Sequence, residues 1–140
     1  MKKITAVVTV MFCVLLMFTG CSDDISHESA VIDTKEMVFD NFGTAKMKEV
    51  ADKALEDVKW TCEGTPDYED GTIYTVSLSG TDRLDNSEVL INFKVKYEYR
   101  NNNASLINYS IWVDSISIDG ELHEEQEVIE QVMEYLYSCV

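Results

Sequence analysis

Between residues 91 and 100 apolar and polar side chains alternate without a break. Ile91, Phe93, Val95, Tyr97 and Tyr99 fall on one side, with Val89 extending that row. Asn92, Lys94, Lys96, Glu98 and Arg100 fall on the other. Period two is the pattern of a strand with one buried and one solvated face. A run of about twelve residues exceeds the usual five or six, so it is expected to twist or bend. Asn101, Asn102 and Asn103 follow, and Asn tolerates the left-handed backbone of a hairpin turn. The return strand carries Ile107, Tyr109, Ile111 and Val113 on one face. The apolar positions then move to Ile116 and Ile118, a one-residue change of phase that predicts a β-bulge near Asp114 and Ser115. Trp112 falls opposite Ile111.

Other segments fit around this hairpin. Tyr74, Val76 and Leu78 alternate with Thr75, Ser77 and Ser79, so a strand is expected from Thr72. Trp60, Thr61 and Cys62 suggest a short first strand, and residues 63–71 hold the only proline and read as a loop. Met47, Val50, Ala51, Ala54, Leu55 and Val58 recur at three-to-four spacing, the buried stripe of a helix that Thr44 would start. Upstream, Asp33 and Glu36 would cap a short helix through Met37, Val38, Phe39 and Phe42, interrupted by Gly43. Leu122, Val128, Ile129, Val132, Met133 and Leu136 give a last amphipathic helix. The expected fold class is α+β. An N-terminal helix or helix pair and a C-terminal helix pack on one face of a curved antiparallel sheet of three to four strands. The element order is similar to cystatin-like and NTF2-like arrangements. No motif is shared, so no function follows from that likeness.

The first twenty residues have another character. Lys2 and Lys3 precede an apolar run over residues 4–18, broken only by Thr5 and Thr9. A basic start, a short apolar run and small residues describe a secretory signal. A spanning helix needs about 20 apolar residues. Phe18-Thr19-Gly20-Cys21 resembles the lipobox of bacterial lipoproteins, with Phe18 where that family usually has Leu or another aliphatic residue. The resemblance implies cleavage before Cys21 and a diacylglyceryl group on its thiol, which would tether the chain to the outer face of a cell membrane. The alternative is an ordinary secreted protein with Cys21 a plain thiol. The expected layout is a signal peptide at residues 1–20 and a lipid-anchored tether at 21–32, with His27 solvated in it. A single α+β domain would fill residues 33–140.

Charge narrows the partners. The chain has 11 Lys and Arg against 26 Asp and Glu, a net charge of −15, and loss of Lys2 and Lys3 with the leader would make it −17. Nucleic-acid binding requires cations to neutralise phosphates, so that class is excluded. An anionic lipid surface would repel the domain, leaving attachment to the lipid. Ca²⁺, basic peptides and basic proteins remain open as partners. Of four cysteines, Cys13 would leave with the leader and Cys21 would be acylated. Cys62 and Cys139 are then expected to form one disulfide, as two remaining cysteines in an exported chain suggest. The alternative is two free buried thiols.

Catalytic and cofactor motifs are missing from the sequence. His123 has no second histidine near it, so no metal site is expected. Neither a Gly-x-Ser-x-Gly elbow nor a phosphate-binding loop occurs. The acidic stretches at residues 67–71 and 82–88 lack the ligand spacing of a calcium loop and read as turns. The last helix is the distinctive feature: Glu121, Glu124, Glu125, Glu127, Glu130 and Glu134 crowd it, and no Lys or Arg follows Arg100. Glu124, Glu127, Glu130 and Glu134 are the candidate binding residues. Either Lys94, Lys96 and Arg100 approach them, or they present an acidic face, solvated or docking a cationic partner. The favoured reading is a non-enzymatic, lipid-anchored binding domain, inhibitor-like or immunity-like toward a cationic protein or peptide, without a cofactor. The alternative is a small pocket-bearing NTF2-like enzyme or small-ligand binder, which requires a pocket on the concave sheet face.

Overall fold

The computed structural model describes residues 26–100 and 105–140. The leader, Cys21, the tether residues before Ser26 and the Asn101–Asn103 turn lie outside the described residues. Among the described residues, three helices cover one face of a five-stranded antiparallel sheet, an α+β fold. The elements are α1 (His27–Glu36), α2 (Met47–Ala54), β1 (Leu55–Glu63), β2 (Thr72–Asp82), β3 (Glu88–Tyr99), β4 (Leu106–Ile118), β5 (Glu121–His123) and α3 (Gln126–Ser138).

The first helix begins at His27, inside the stretch expected as tether. Ser26 is its N-cap, with Oγ accepting from the Ser29 amide at 3.3 Å, so one unpaired amide of the first turn is satisfied. Only Ala30 and Thr34, four residues apart, are buried. Such small residues leave no hydrophobic stripe in the sequence. His27, expected in solvent, packs edge-on against Tyr74 with ring centroids 5.1 Å apart, and its Nε2 lies 2.6 Å from the Gly64 carbonyl. Met37, Val38, Phe39 and Phe42 do not form a helix. Val38 bridges Lys46, and the Met47 amide donates to the Met37 carbonyl at 2.8 Å, pinching off a loop. Its tip lays Phe39 on Phe93 and Phe42 on Tyr137, with centroids 5.9 and 6.0 Å apart.

The second helix runs straight into β1. Leu55 and Val58 continue the helical stripe on paper but lie in the strand. Asp57 takes a left-handed φ of 52°, and the register slips between Glu56 and Lys59. The sheet is a meander in which each strand pairs with its sequence neighbour. Asn92 pairs with Ser115 and Phe93 with Val113, so Asp114 is the extra residue of a bulge where the phase change predicts one. A second slip sets Ile107 aside: Glu98 faces Asn108 and Tyr99 faces Leu106. Leu122 is not in the last helix but in β5, exposed and opposite Ser117.

Tyr74, Val76, Leu78, Ile91, Phe93, Val95 and Tyr97 form the buried face of the central strands. Burying a large apolar side chain contributes about 1.5–3 kcal/mol. The other face is polar. Ser77 donates to Asn92 Oδ1 at 2.7 Å, Asn92 Nδ2 to Ser115 Oγ at 3.0 Å, and Lys94 to Thr75 Oγ1 at 2.9 Å.

The expected disulfide is not formed; Cys62 and Cys139 are free thiols. Cys139 sits after α3, around a hollow it shares with Ala54 and Arg83, beside the start of β1. Cys62 lies near the far end of that strand, opposite Val76. At ~3.3 Å per residue the strand separates them by roughly 20 Å, whereas a disulfide needs Cα atoms within about 7 Å.

Candidate functional site

A cleft of about 500 Å³ opens between α3, the tip of the Phe39–Phe42 loop and β4. Phe39 and Phe42 form one wall, and Ile129 with Gln126 the other. Ile111, Trp112 and Val113 of β4 close the third side. Glu130 and Glu134 stand at the helix rim, both exposed, and Asn41 adds a polar group opposite. Apolar walls with a few polar groups are the usual make-up of a binding site.

Local chemistry holds each wall. The Phe39 amide donates to the Tyr137 hydroxyl at 3.2 Å, tying the loop to α3 across 98 residues of sequence. Gly43 permits that approach: a Cβ there would lie 2.7 Å from Tyr137 Cδ1. The far end of α3 is fixed by Tyr135, whose hydroxyl donates to Asp82 Oδ1 at 3.1 Å. Burial and the Asp82 carboxylate push that hydroxyl up to about 12. Asp82 Oδ1 also accepts from the Leu84 amide at 2.7 Å. Asp67 Oδ1 likewise accepts from the Glu69 and Asp70 amides, at 3.0 and 3.2 Å. Both acidic stretches thus bind their own turns. Among the described residues no three His, Cys, Asp or Glu side chains cluster as metal ligands.

The four candidate glutamates separate. Glu124 is not on the helix; it lies in the link after β5, its amide donating to Glu125 Oε2 at 3.2 Å. Glu127 is in the first helical turn, where a carboxylate suits the N-terminal dipole, and does not line the cleft. Glu130 and Glu134, four apart, are brought together at the rim. Glu130 accepts from Gln126 Nε2 at 2.9 Å. The lysines considered as partners lie elsewhere. Lys94 is 3.9 Å from Asp114 and Lys96 is 3.4 Å from Glu98, on the polar sheet face. Among the described residues no cation pairs with Glu127, Glu130 or Glu134. His123, expected at a helix start, is in β5, with Nδ1 4.0 Å from Glu125 Oε2.

Phe39, Phe42, Asn41 and Gln126 were not among the candidates. Gly43, which interrupts the segment of Phe39 and Phe42, and Trp112, opposite Ile111 on its strand, are the sequence signals that could have found them.

A tyrosine cluster fills the other end of the helix-covered face. Tyr74 and Tyr97 are buried with centroids 6.0 Å apart, and Tyr97 donates to Asp33 Oδ2 at 2.6 Å. Burial and that carboxylate raise the Tyr97 hydroxyl well above its ordinary value. Tyr109 is about half exposed beside it. The helix-covered face is therefore packed at its centre, with the larger cleft on the β4 side and a smaller hollow of about 290 Å³ under α3, lined by Asp82, Val89, Ile118, Val132 and Tyr135. No protein-family model, curated protein or solved structure matches the chain.

Proposed function

We propose that the chain is a lipid-anchored, extracytoplasmic binding protein that takes a cationic protein or peptide at the cleft beside α3. The observation that carries this reading is the pair Glu130 and Glu134, exposed over aromatic walls with no cation paired to them among the described residues. Lys and Arg have apolar stems and charged heads, the two chemistries that such a rim and wall offer. The lipobox-like residues before Cys21 support the anchor.

The test is binding of octalysine by isothermal titration. The wild-type protein binds, and added salt weakens the complex as surface charges are screened. Glu130→Gln with Glu134→Gln lowers affinity roughly threefold to tenfold, the scale of two exposed charge contacts. Glu28→Gln on α1 leaves it unchanged. Equal affinity in all three proteins would remove the site from this reading.

A second reading, a small-ligand pocket, draws on the same cleft through Asn41 and Gln126 among its apolar walls. Neutral small molecules that raise the melting temperature while octalysine does not would favour it.

A further inference from the structure

Three residues in a row, Ile111, Trp112 and Val113, line the cleft. Successive side chains of a strand point to opposite faces. Ile111 and Val113 face Val95 and Phe93 on the buried side, while Trp112 faces Lys94 on the polar side. What the three share is the free edge of β4. On that edge β5 pairs only with Ile116, Ser117 and Ile118. Among the described residues nothing pairs with the edge over 106–115.

Between its two bulges, residues 108–113 keep unbroken register with β3. Their sequence is Asn-Tyr-Ser-Ile-Trp-Val, with no charge and no proline. Soluble proteins ordinarily guard an edge with lysine, proline, a bulge or a covering element. Here the bulges lie at the ends of the regular segment, and α3 stands off across the cleft.

We infer that β4 takes an extended segment of a basic partner as an added strand, about six residues long, laid along residues 108–113. The inference rests on the reading of the cleft as a cationic binding site and specifies how the partner is held. Backbone groups of the segment would pair with those that β4 turns outward, as in strand addition at other sheet edges. Alternate side chains would enter the cleft. Basic ones would lie along Phe39, Phe42 and Ile129 and reach Glu130 and Glu134. The remaining side chains would cover Trp112 on the polar face, which is 40% exposed. Charge selects this occupant over a second copy, which would bring another net −15 and its own Glu130 and Glu134 to the seam.

The test uses an acetylated, amidated octapeptide of alternating Lys and Val, with amide hydrogen exchange as the readout. The peptide slows exchange within residues 108–113 and not in β2. Two analogues carry N-methyl groups on alternate residues, one in each register. Only one register faces β4, so one analogue loses about tenfold in affinity and the other binds as the parent does. An alternating Glu and Val peptide does not bind. If the parent binds and Glu130→Gln with Glu134→Gln weakens it, yet both methylated analogues bind equally and the β4 amides stay unprotected, the strand is overturned while the acidic site stands. If neither octalysine nor the parent peptide binds, the site itself falls. Protection of the edge in free protein overturns the proposal too, in favour of a second copy where it rises with concentration and of this chain's own residues where it does not.

Discussion

Cys62 shows how a single side chain depends on its surroundings. It faces the covered side of the sheet, and burial, aided by the Glu63 carboxylate, pushes its thiol up to about 11. Only the thiolate reacts readily with alkylating agents. Iodoacetamide at pH 8 should therefore modify Cys62 far more slowly than a free thiol such as glutathione, with the rate climbing until the pH passes about 11. Peptide mapping by mass spectrometry across that pH range checks this. Rapid labelling at pH 8 would mean that the site is open. Because the raised value belongs to the folded state, the buried thiol favours folding at neutral pH. That contribution fades as pH rises above the ordinary thiol value of 9.0. Cysteine count alone suggested a bond between Cys62 and Cys139. Their separation depends on where a helix turns into a strand, which counting does not reach.

At the scale of elements, Gly43 is the most exposed to test. Gly43→Ala forces its new methyl into the Tyr137 ring, and overpacking of this kind costs about 1–3 kcal/mol. Urea denaturation should show that loss, accompanied by weaker octalysine binding as the Phe39–Phe42 loop lifts from α3. A stability change below 0.5 kcal/mol, as is usual for surface substitutions, would show that the loop is not held there. The strands were legible because burial on one face writes period two into β2, β3 and β4, and a shift of phase wrote the Asp114 bulge. By contrast, α1 was hidden because its buried residues are Ala30 and Thr34, which carry little hydrophobic signal. The change from α2 to β1 was hidden because Leu55 and Val58 satisfy either period. Three-residue β5 is too short to show one. Glu130 and Glu134 were visible as charge, but the cleft needed the Phe39–Phe42 loop and β4, distant in sequence, to be set beside them.

At the scale of the whole molecule, attachment and charge act in opposite directions. The net charge of −17 left once Lys2 and Lys3 go with the leader disfavours contact with an anionic membrane, so under the proposed anchor the acyl chains alone hold the protein. Cys21→Ala should accordingly shift it from the membrane fraction to the soluble or unprocessed pool, read by fractionation and intact-mass spectrometry. Retention of mature-length protein at the membrane would sink the anchor. The meander has a further consequence, for how the chain acquires its structure. Every long strand pairs with its predecessor, so the sheet can grow in the order of synthesis, through local hairpins of the kind that fold quickly. At each stage the newest strand is an open template: first β2, then β3, then β4. Among the described residues, only the three of β5 close the last one. Variants that slow folding should therefore aggregate through residues 108–113 rather than through the buried strands, and a lysine placed there would act as a gatekeeper.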